Sequence, residues 1–299
     1  MKMIALVVSL ILTSGISSTA IADTPDSSVT IVYSGSSNGK LRACSCPGDP
    51  YGGLGERVTL INRLRSERDP FLLVDTGNMI SIYQDYQRKS QTIIGLMNLM
   101  KYDVAAIGRL DIYRGIEFAR TMDGWADFPL ISTSLADSTG DPLFMPVTTK
   151  TFNGMKVAFI ALHDSSVYYV PGSHSDTFTL LENDKILPPL LEQLSEKTDY
   201  IVALSNMPQH KNEDLLAQYH DIDIVIQGYG NVRLDTPLIT DHGIIVAPGQ
   251  RGQFIGLLTV KRGKNGELEL VEGSLLPVLD IPMDDTAEEM VKEYYRSIR

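Results

Sequence analysis

One stretch decides the fold class of this chain: Thr30-Ile-Val-Tyr-Ser-Gly-Ser-Ser-Asn-Gly-Lys-Leu-Arg-Ala-Cys-Ser-Cys-Pro-Gly-Asp-Pro-Tyr-Gly-Gly-Leu54. Its first five residues are β-branched, aromatic or small, which is typical of a buried strand. Apolar residues at helical spacing follow from Leu54 to Leu64, with Arg57 on the other side of the predicted helix. A strand that runs through a glycine-rich loop into a helix is where α/β folds hold their functional groups. The alternative interpretation is that this loop is only a long connection.

The rest of the chain first alternates predicted strands with helices and then adds antiparallel strands. Asn153-Gly154 lies between two apolar runs, which is a strong hairpin signal. The pattern predicts an α/β fold, a four-layer α/β/β/α sandwich of two mixed sheets with helices outside. The predicted strands include Phe71–Asp75, Asp103–Ile107, Tyr200–Leu204, Ile222–Gln227, Phe254–Arg262 and Leu268–Val271, and the predicted helices include Gln84–Tyr102, Gly115–Met122, Leu187–Glu196, Asn212–Tyr219 and Thr286–Ile298.

The first residues have the features of a secretory signal peptide. Lys2 is followed by an apolar run to Leu12 and then by small residues up to Ala20-Ile-Ala22. The apolar run is too short to cross a bilayer, which takes about 20 residues. We therefore predict a signal peptide over 1–22, an N-terminal extension over 23–28 and a single domain over 29–299. The mature protein is expected to be exported, to the periplasm, and to have no membrane span.

Composition limits the partner classes. The formal net charge is −11, and loss of Lys2 with the signal peptide would leave −12. No basic stripe stands out in the sequence, so neither nucleic acid nor anionic lipid is an expected partner. The expected partner is an exported protein, with redox exchange as one form that the contact could take.

Polar residues follow the predicted buried strands in a recognisable order. The strand ends read Ser34-Gly-Ser36-Ser-Asn38-Gly39, Val74-Asp75-Thr-Gly77-Asn78, Ala105-Ala-Ile-Gly108-Arg109-Leu110-Asp111, Leu204-Ser205-Asn206 and Ile226-Gln-Gly228-Tyr229-Gly-Asn231. This series resembles the catalytic domain of the 5′-nucleotidase branch of the calcineurin-like metallophosphoesterase superfamily, over about Val29 to Val260. The resemblance implies the four-layer fold, and in active members it implies two metal ions and hydrolysis of phosphoric esters.

The positions where the resemblance implies metal ligands carry other residues in this chain. An Asp and a His are expected on the first strand, a bridging Asp on the second, Asn-His on the third, and further His residues later. The corresponding residues are Ser36, Asn38, Asn78, Arg109, Leu110, Asn206, Tyr229 and Asn231. Two close divalent cations need carboxylates and imidazoles to offset their charge, whereas Ser and Asn are neutral and Arg is a permanent cation. We therefore expect that the dinuclear centre has been lost.

Three other residues are candidates for the same cleft. Asp75 or Asp111 could contribute to a remaining single-metal site, and Arg109 with Arg251 could hold an anion. No cofactor is expected, with one soft metal at the cysteine pair as the only exception that the sequence leaves open.

Cys44 and Cys46 are the only cysteines of the chain. They follow a strand end, among glycines and prolines, and are expected to be accessible at the mouth of the cleft. Two close thiols could bind one soft metal such as Cu(I), or exchange disulfides with a partner, or they could be purely structural. A disulfide between them would close a strained ring of the redox-active kind.

These observations leave three functional hypotheses. The first is an exported, non-catalytic binding or redox-associated protein that uses the Cys-Ser-Cys loop and the old cleft. The second is a metal-dependent phosphoesterase or 5′-nucleotidase-like hydrolase with a rearranged site. The third is a soft-metal or thiol carrier. Metal content distinguishes them: two metals per chain favour the hydrolase, one cysteine-dependent soft metal favours the carrier, and none favours the binding protein.

Overall fold

A computed structural model describes residues 28–43, 50–68, 70–82, 86–164 and 178–299. The helices are α1 (Leu54–Arg68), α2 (Tyr86–Met100), α3 (Ile116–Asp123), α4 (Asn183–Ser195), α5 (Gln209–Gln218) and α6 (Asp285–Ser297). The strands are β1 (Val29–Ser34), β2 (Leu72–Asp75), β3 (Val104–Ala106), β4 (Leu130–Ile131), β5 (Leu135–Ala136), β6 (Val147–Phe152), β7 (Met155–His163), β8 (Thr179–Leu180), β9 (Tyr200–Asn206), β10 (Ile224–Gln227), β11 (Leu238–Ile239), β12 (Ile244–Val246), β13 (Phe254–Arg262) and β14 (Leu268–Pro277).

Two mixed sheets organise these elements. The first has the strand order β14-β13-β1-β2-β3-β4, and the second has the order β11-β12-β10-β9-β7-β6. In the first sheet β1 to β4 are parallel, while β13 and β14 are antiparallel additions at one side. In the second sheet β12, β10, β9 and β7 are parallel, and β11 and β6 close its two edges in antiparallel pairing.

The sheets pack face to face and helices cover their outer faces. In β1, the side chains of Ile31 and Tyr33 lie in the core between the sheets, while Val32 between them lies in the core under the helices. That outer core includes apolar residues of α1, α2, α3 and α6, and a third core joins the second sheet to α4 and α5. Because both faces of these strands are buried, the strands are continuous apolar runs. The predicted α/β/β/α sandwich is confirmed.

Some predicted elements agree with the structure in detail, and others differ from it in their bounds. The hairpin at Asn153-Gly154 is present, and both residues have the positive φ that its turn requires. Helix α4 begins at Asn183, ahead of the predicted Leu187, and includes two prolines in its interior. Strand β14 continues to Pro277, well past the predicted end at Val271. No helix in the described part of the chain is long and apolar enough to cross a bilayer.

Two sequence predictions lie outside the described residues. The predicted signal peptide and cleavage point fall within 1–27, and Cys44 and Cys46 fall within 44–49. Both stay predictions.

Candidate functional site

The carboxyl ends of the parallel strands of both sheets meet at one cavity of about 230 Å³. In α/β folds this edge of a sheet is the usual place for a site, because loops leave all the strands there in the same direction. All eight positions that the resemblance singled out line this cavity, together with Gly230: Ser36, Asn38, Asn78, Arg109, Leu110, Asn206, Tyr229 and Asn231. Gly230 was not among the predicted site residues.

The loops after β1 and β2 are held against each other by their backbones. Ser36 N donates to Gly77 O at 2.8 Å, and Asn38 N donates to Asn78 O at 2.9 Å. Ser36, Asn38 and Asn78 have φ values of 48°, 50° and 56°. Non-glycine residues with positive φ cost free energy and concentrate at binding and active sites. The strand-end backbone is therefore fixed in an unusual conformation that aims these side chains at the cavity.

An amide pair connects the two sheets at the floor of the cavity. Asn78 Nδ2 donates to Asn206 Oδ1 at 2.8 Å, and Asn78 Oδ1 accepts from Leu110 N at 3.0 Å. Asn206 Nδ2 donates in turn to Thr76 O at 2.8 Å. The polar atoms of this pair are thus used in hydrogen bonds within the protein. The half-buried or exposed side chains of Asn38, Arg109, Tyr229 and Asn231 form the rest of the polar lining.

The lining does not fit a dinuclear metal centre. Its described residues are serine, asparagine, arginine, leucine, tyrosine and glycine, and they include neither a carboxylate nor an imidazole. Divalent zinc, manganese or magnesium needs such donors, and the Arg109 guanidinium adds a positive charge at the same place. Over the described ranges, no three His, Cys, Asp or Glu side chains group together in a way that could hold a metal ion.

Asp75 does not line the cavity, contrary to the expectation that it is a cleft residue. It is fully buried beneath the strand ends, where its Oδ2 lies 3.8 Å from Arg57 Nη1 and accepts from Ser34 Oγ at 2.6 Å. Burial raises the pKa of the Asp75 carboxyl, and the Arg57 charge opposes that rise. Arg57 is itself fully buried, rather than on a solvent face of α1, and its guanidinium also donates to Tyr102 Oη and Ser37 Oγ.

Asp111 is also a structural residue rather than a cleft residue. Its two carboxylate oxygens accept four backbone N–H groups, those of Asn78, Met79, Ile80 and Gly108, at 2.7 to 3.2 Å. Burial raises the pKa of Asp111 to about 7, and these N–H groups act in the opposite direction. Through these hydrogen bonds, Asp111 connects the loop after β2 to the loop after β3. It does not line the cavity.

Arg251 lies beside the cavity rather than in it. Its backbone N donates to Ser36 O at 2.6 Å, and it lines a neighbouring, larger groove that shares Asn38 with the cavity. The expected pairing of Arg109 with Arg251 around one anion is therefore not what the structure shows, because the two residues line different openings.

Comparison with known proteins places this geometry in a structural class. No family model matches the chain. The chain is 23% identical over 268 residues to the trifunctional nucleotide phosphoesterase YfkN of Bacillus subtilis, covering 74% of this chain and 18% of YfkN. It is 25% identical over 267 residues to protein UshA of Escherichia coli, covering 76% of this chain and 48% of UshA. The chain thus spans about half of UshA and a smaller part of YfkN.

A solved structure shows the same architecture. The crystal structure of a 5′-nucleotidase precursor from Thermus thermophilus matches with a TM-score of 0.81 at 20% identity, over 91% of this chain and 59% of that one. The crystal structure of the calcineurin-like phosphoesterase YfkN from Bacillus subtilis matches with a TM-score of 0.73 at 18% identity, over 90% of this chain and 97% of that one. The chain has the metallophosphoesterase-like fold seen in 5′-nucleotidases.

Proposed function

We propose that this chain is a non-catalytic binding protein built on a metallophosphoesterase-like fold. The observation that carries the proposal is the cavity lining, in which amides, a hydroxyl, a phenol and a guanidinium occupy the strand ends. A phosphoesterase of this fold needs metal ions to polarise the phosphoryl oxygens and to activate water. These side chains supply neither metal ligands nor a general base, so the chain is expected to bind rather than hydrolyse.

The cavity suits a small polar or anionic group. Asn38 and Asn231 offer amide donors and acceptors at its rim, and Arg109 offers a charged planar donor. A pocket of about 230 Å³ is smaller than the usual site for a drug-sized molecule, which starts at about 300 Å³. An anionic end group of a larger ligand therefore fits it better than a whole nucleotide.

The cysteine pair supplies the second part of the proposal. Cys44 and Cys46 follow the β1 loop in the chain and are proposed to contact an exported partner. In an exchange step, one thiolate attacks a partner disulfide and the second cysteine resolves the mixed disulfide. Cys44 and Cys46 end as a disulfide, and the partner leaves with two thiols. Binding of one soft metal ion by the same pair is the competing form of this proposal.

Phosphoesterase assays test the proposal directly. The mature protein is incubated with nucleotides and aryl phosphates in the presence of zinc or manganese, with and without chelator, beside YfkN of Bacillus subtilis as the active control. We expect turnover at the background level of a buffer blank. Chelator-sensitive turnover that follows the protein through successive purification steps would instead establish the hydrolase, which the names of the sequence relatives favour.

A further inference from the structure

A large groove beside the cavity has an unusual concentration of positive charge. The groove encloses about 1050 Å³ between the segment 39–43, the first turn of helix α2 and helix α6. Among the residues that the structure describes, seven Lys and Arg side chains line it, against one acidic side chain, that of Glu288. The sequence did not reveal this feature, because Arg42, Arg251 and Arg299 come from three distant parts of the chain and meet only after folding.

The positive charge of the groove is opposite in sign to the net charge of the chain. The chain as a whole carries a formal net charge of −11. Two of the seven cations form exposed ion pairs within α6, Lys292 with Glu288 at 3.0 Å and Arg296 with Glu289 at 2.8 Å. Arg42 and Arg299 are exposed and add positive charge to the lining beyond these two pairs. A concave surface of one sign concentrates ligands of the opposite sign and steers their approach.

The groove also presents apolar surface between its charges. Tyr295 on α6 and Ile298 directly after the helix are 36% and 46% exposed, and both line the groove with Leu41 and Met283. Large apolar side chains that are exposed beside a charged rim are typical of protein contact sites. A ligand that matches this lining has acidic groups with apolar side chains between them.

We propose that this groove binds an acidic peptide segment of a partner protein, with apolar residues set among its carboxylates. The groove exceeds the upper end of small-molecule pockets, about 1,000 Å³, which favours an extended chain over a single small anion. Long nucleic acids are disfavoured because a duplex would extend past the groove over a chain of net negative charge, which repels phosphates that come within a Debye length of about 10 Å. The proposal goes beyond the cysteine pair and rests on described residues alone.

Fluorescence anisotropy with a labelled peptide of alternating glutamate and leucine tests the inference on the full mature chain. The matched probe replaces every glutamate by glutamine. The test variant is Arg42→Glu with Arg299→Glu, two exposed lining positions, and the control variant is Arg63→Glu with Lys211→Glu, two exposed positions on α1 and α5. Both variants change the net charge by the same amount. Circular dichroism verifies that each is folded.

The acidic peptide should bind the wild type at about 50 mM salt and weaken at about 300 mM. The test variant should lose at least about tenfold in affinity, a change of about 1.4 kcal/mol, while the control variant loses much less. The glutamine peptide should bind no variant. Equal losses in both variants, or no binding at low salt, would overturn the groove as the site. Tighter binding of duplex DNA or polyphosphate would overturn the peptide as its ligand. If the test variant fails to fold, Arg42→Ser with Arg299→Ser and the wild-type salt dependence decide the same question.

Discussion

Removal of the buried cation under the strand ends should be the most destabilising single change near the site. Arg57 and Asp75 are both fully buried, with Nη1 and Oδ2 3.8 Å apart. Arg57→Met keeps most of the side-chain volume and removes the charge and the hydrogen bonds to Tyr102 and Ser37. Breaking a buried ion pair from one side typically costs about 3–5 kcal/mol, because the remaining charge is left in a poorly solvating interior.

The loss should be visible as a lower melting temperature. For a chain of this size, about 1 kcal/mol corresponds to about 2–4 °C, so Arg57→Met is expected to melt about 6–20 °C lower. The matched control is Arg68→Met, which breaks an exposed ion pair with Glu272, 46% and 36% exposed. Such surface pairs contribute about 0–1 kcal/mol, so the control should melt close to the wild type.

The pH dependence of stability provides a second, independent test of this prediction. Burial raises the folded-state pKa of Asp75, so the stability linked to this group is fully present below the unfolded pKa and is lost as pH rises through the folded pKa. Because the Arg57 charge lowers that pKa, its removal raises the pKa further. The deficit of Arg57→Met relative to the wild type should therefore grow as pH rises above the unfolded-state pKa of an aspartate, about 3.9. A deficit no larger than that of Arg68→Met, or one that shrinks as pH rises, would refute this account of the network.

Three further predictions concern the loops around the site. The double variant Cys44→Ser with Cys46→Ser should melt within about 1–2 °C of the wild type, because so short a loop constrains the unfolded chain little, and it should lose partner capture or soft-metal binding. Gly108→Ala should cost about 1–3 kcal/mol in denaturant unfolding, because the new Cβ would lie 2.3 Å from Asn78 N. His163 is buried and burial lowers its pKa to about 4, so stability should fall by roughly 3 kcal/mol from about pH 6.5 to about pH 4, less so in His163→Gln.

Each of these has a contradicting result. A large drop in melting temperature of the cysteine variant would show that the pair is structural, and unchanged partner capture would remove its functional role. For Gly108, the matched control is Gly124→Ala, whose Cβ would meet its nearest atom at an ordinary 3.4 Å, and equal stability of the two variants would contradict the close approach. Identical pH profiles of the wild type and His163→Gln would show that His163 does not govern the acid limb.

The fold could be predicted for strands that are buried on both faces, because such strands are continuous apolar runs in the sequence. Strands β9 and β10 are continuous apolar runs, and their predicted positions agree with the structure to within two residues at either end. Strand β14 was underestimated because its residues are mostly half-buried and include Gly273. Its stability comes from pairing along β13 rather than from burial, and cross-strand pairing has no local signature in the sequence.

Some residues of the candidate site could likewise be predicted from the sequence, and others could not. The strand-end positions could be predicted from the family resemblance that their order carries, and they meet at one cavity because parallel strands of a sheet end at one edge. Arg57 was predicted to lie on the polar side of its helix, but it is buried. Helical periodicity alone cannot show that Asp75 and Tyr102 are its partners beneath the strand ends. The basic groove was missed because α6 forms one of its walls only after packing against α1 and α2.

The metal content of the mature protein tests the central claim most directly. The protein is incubated with zinc or manganese, desalted and measured by mass spectrometry for metal per chain, beside Cys44→Ser with Cys46→Ser. The account predicts that neither protein retains a pair of metal ions and that any soft metal found in the wild type is absent from the cysteine variant. Two metal ions per chain in both proteins would contradict it, because such ions would have to be held at the strand ends without the cysteines.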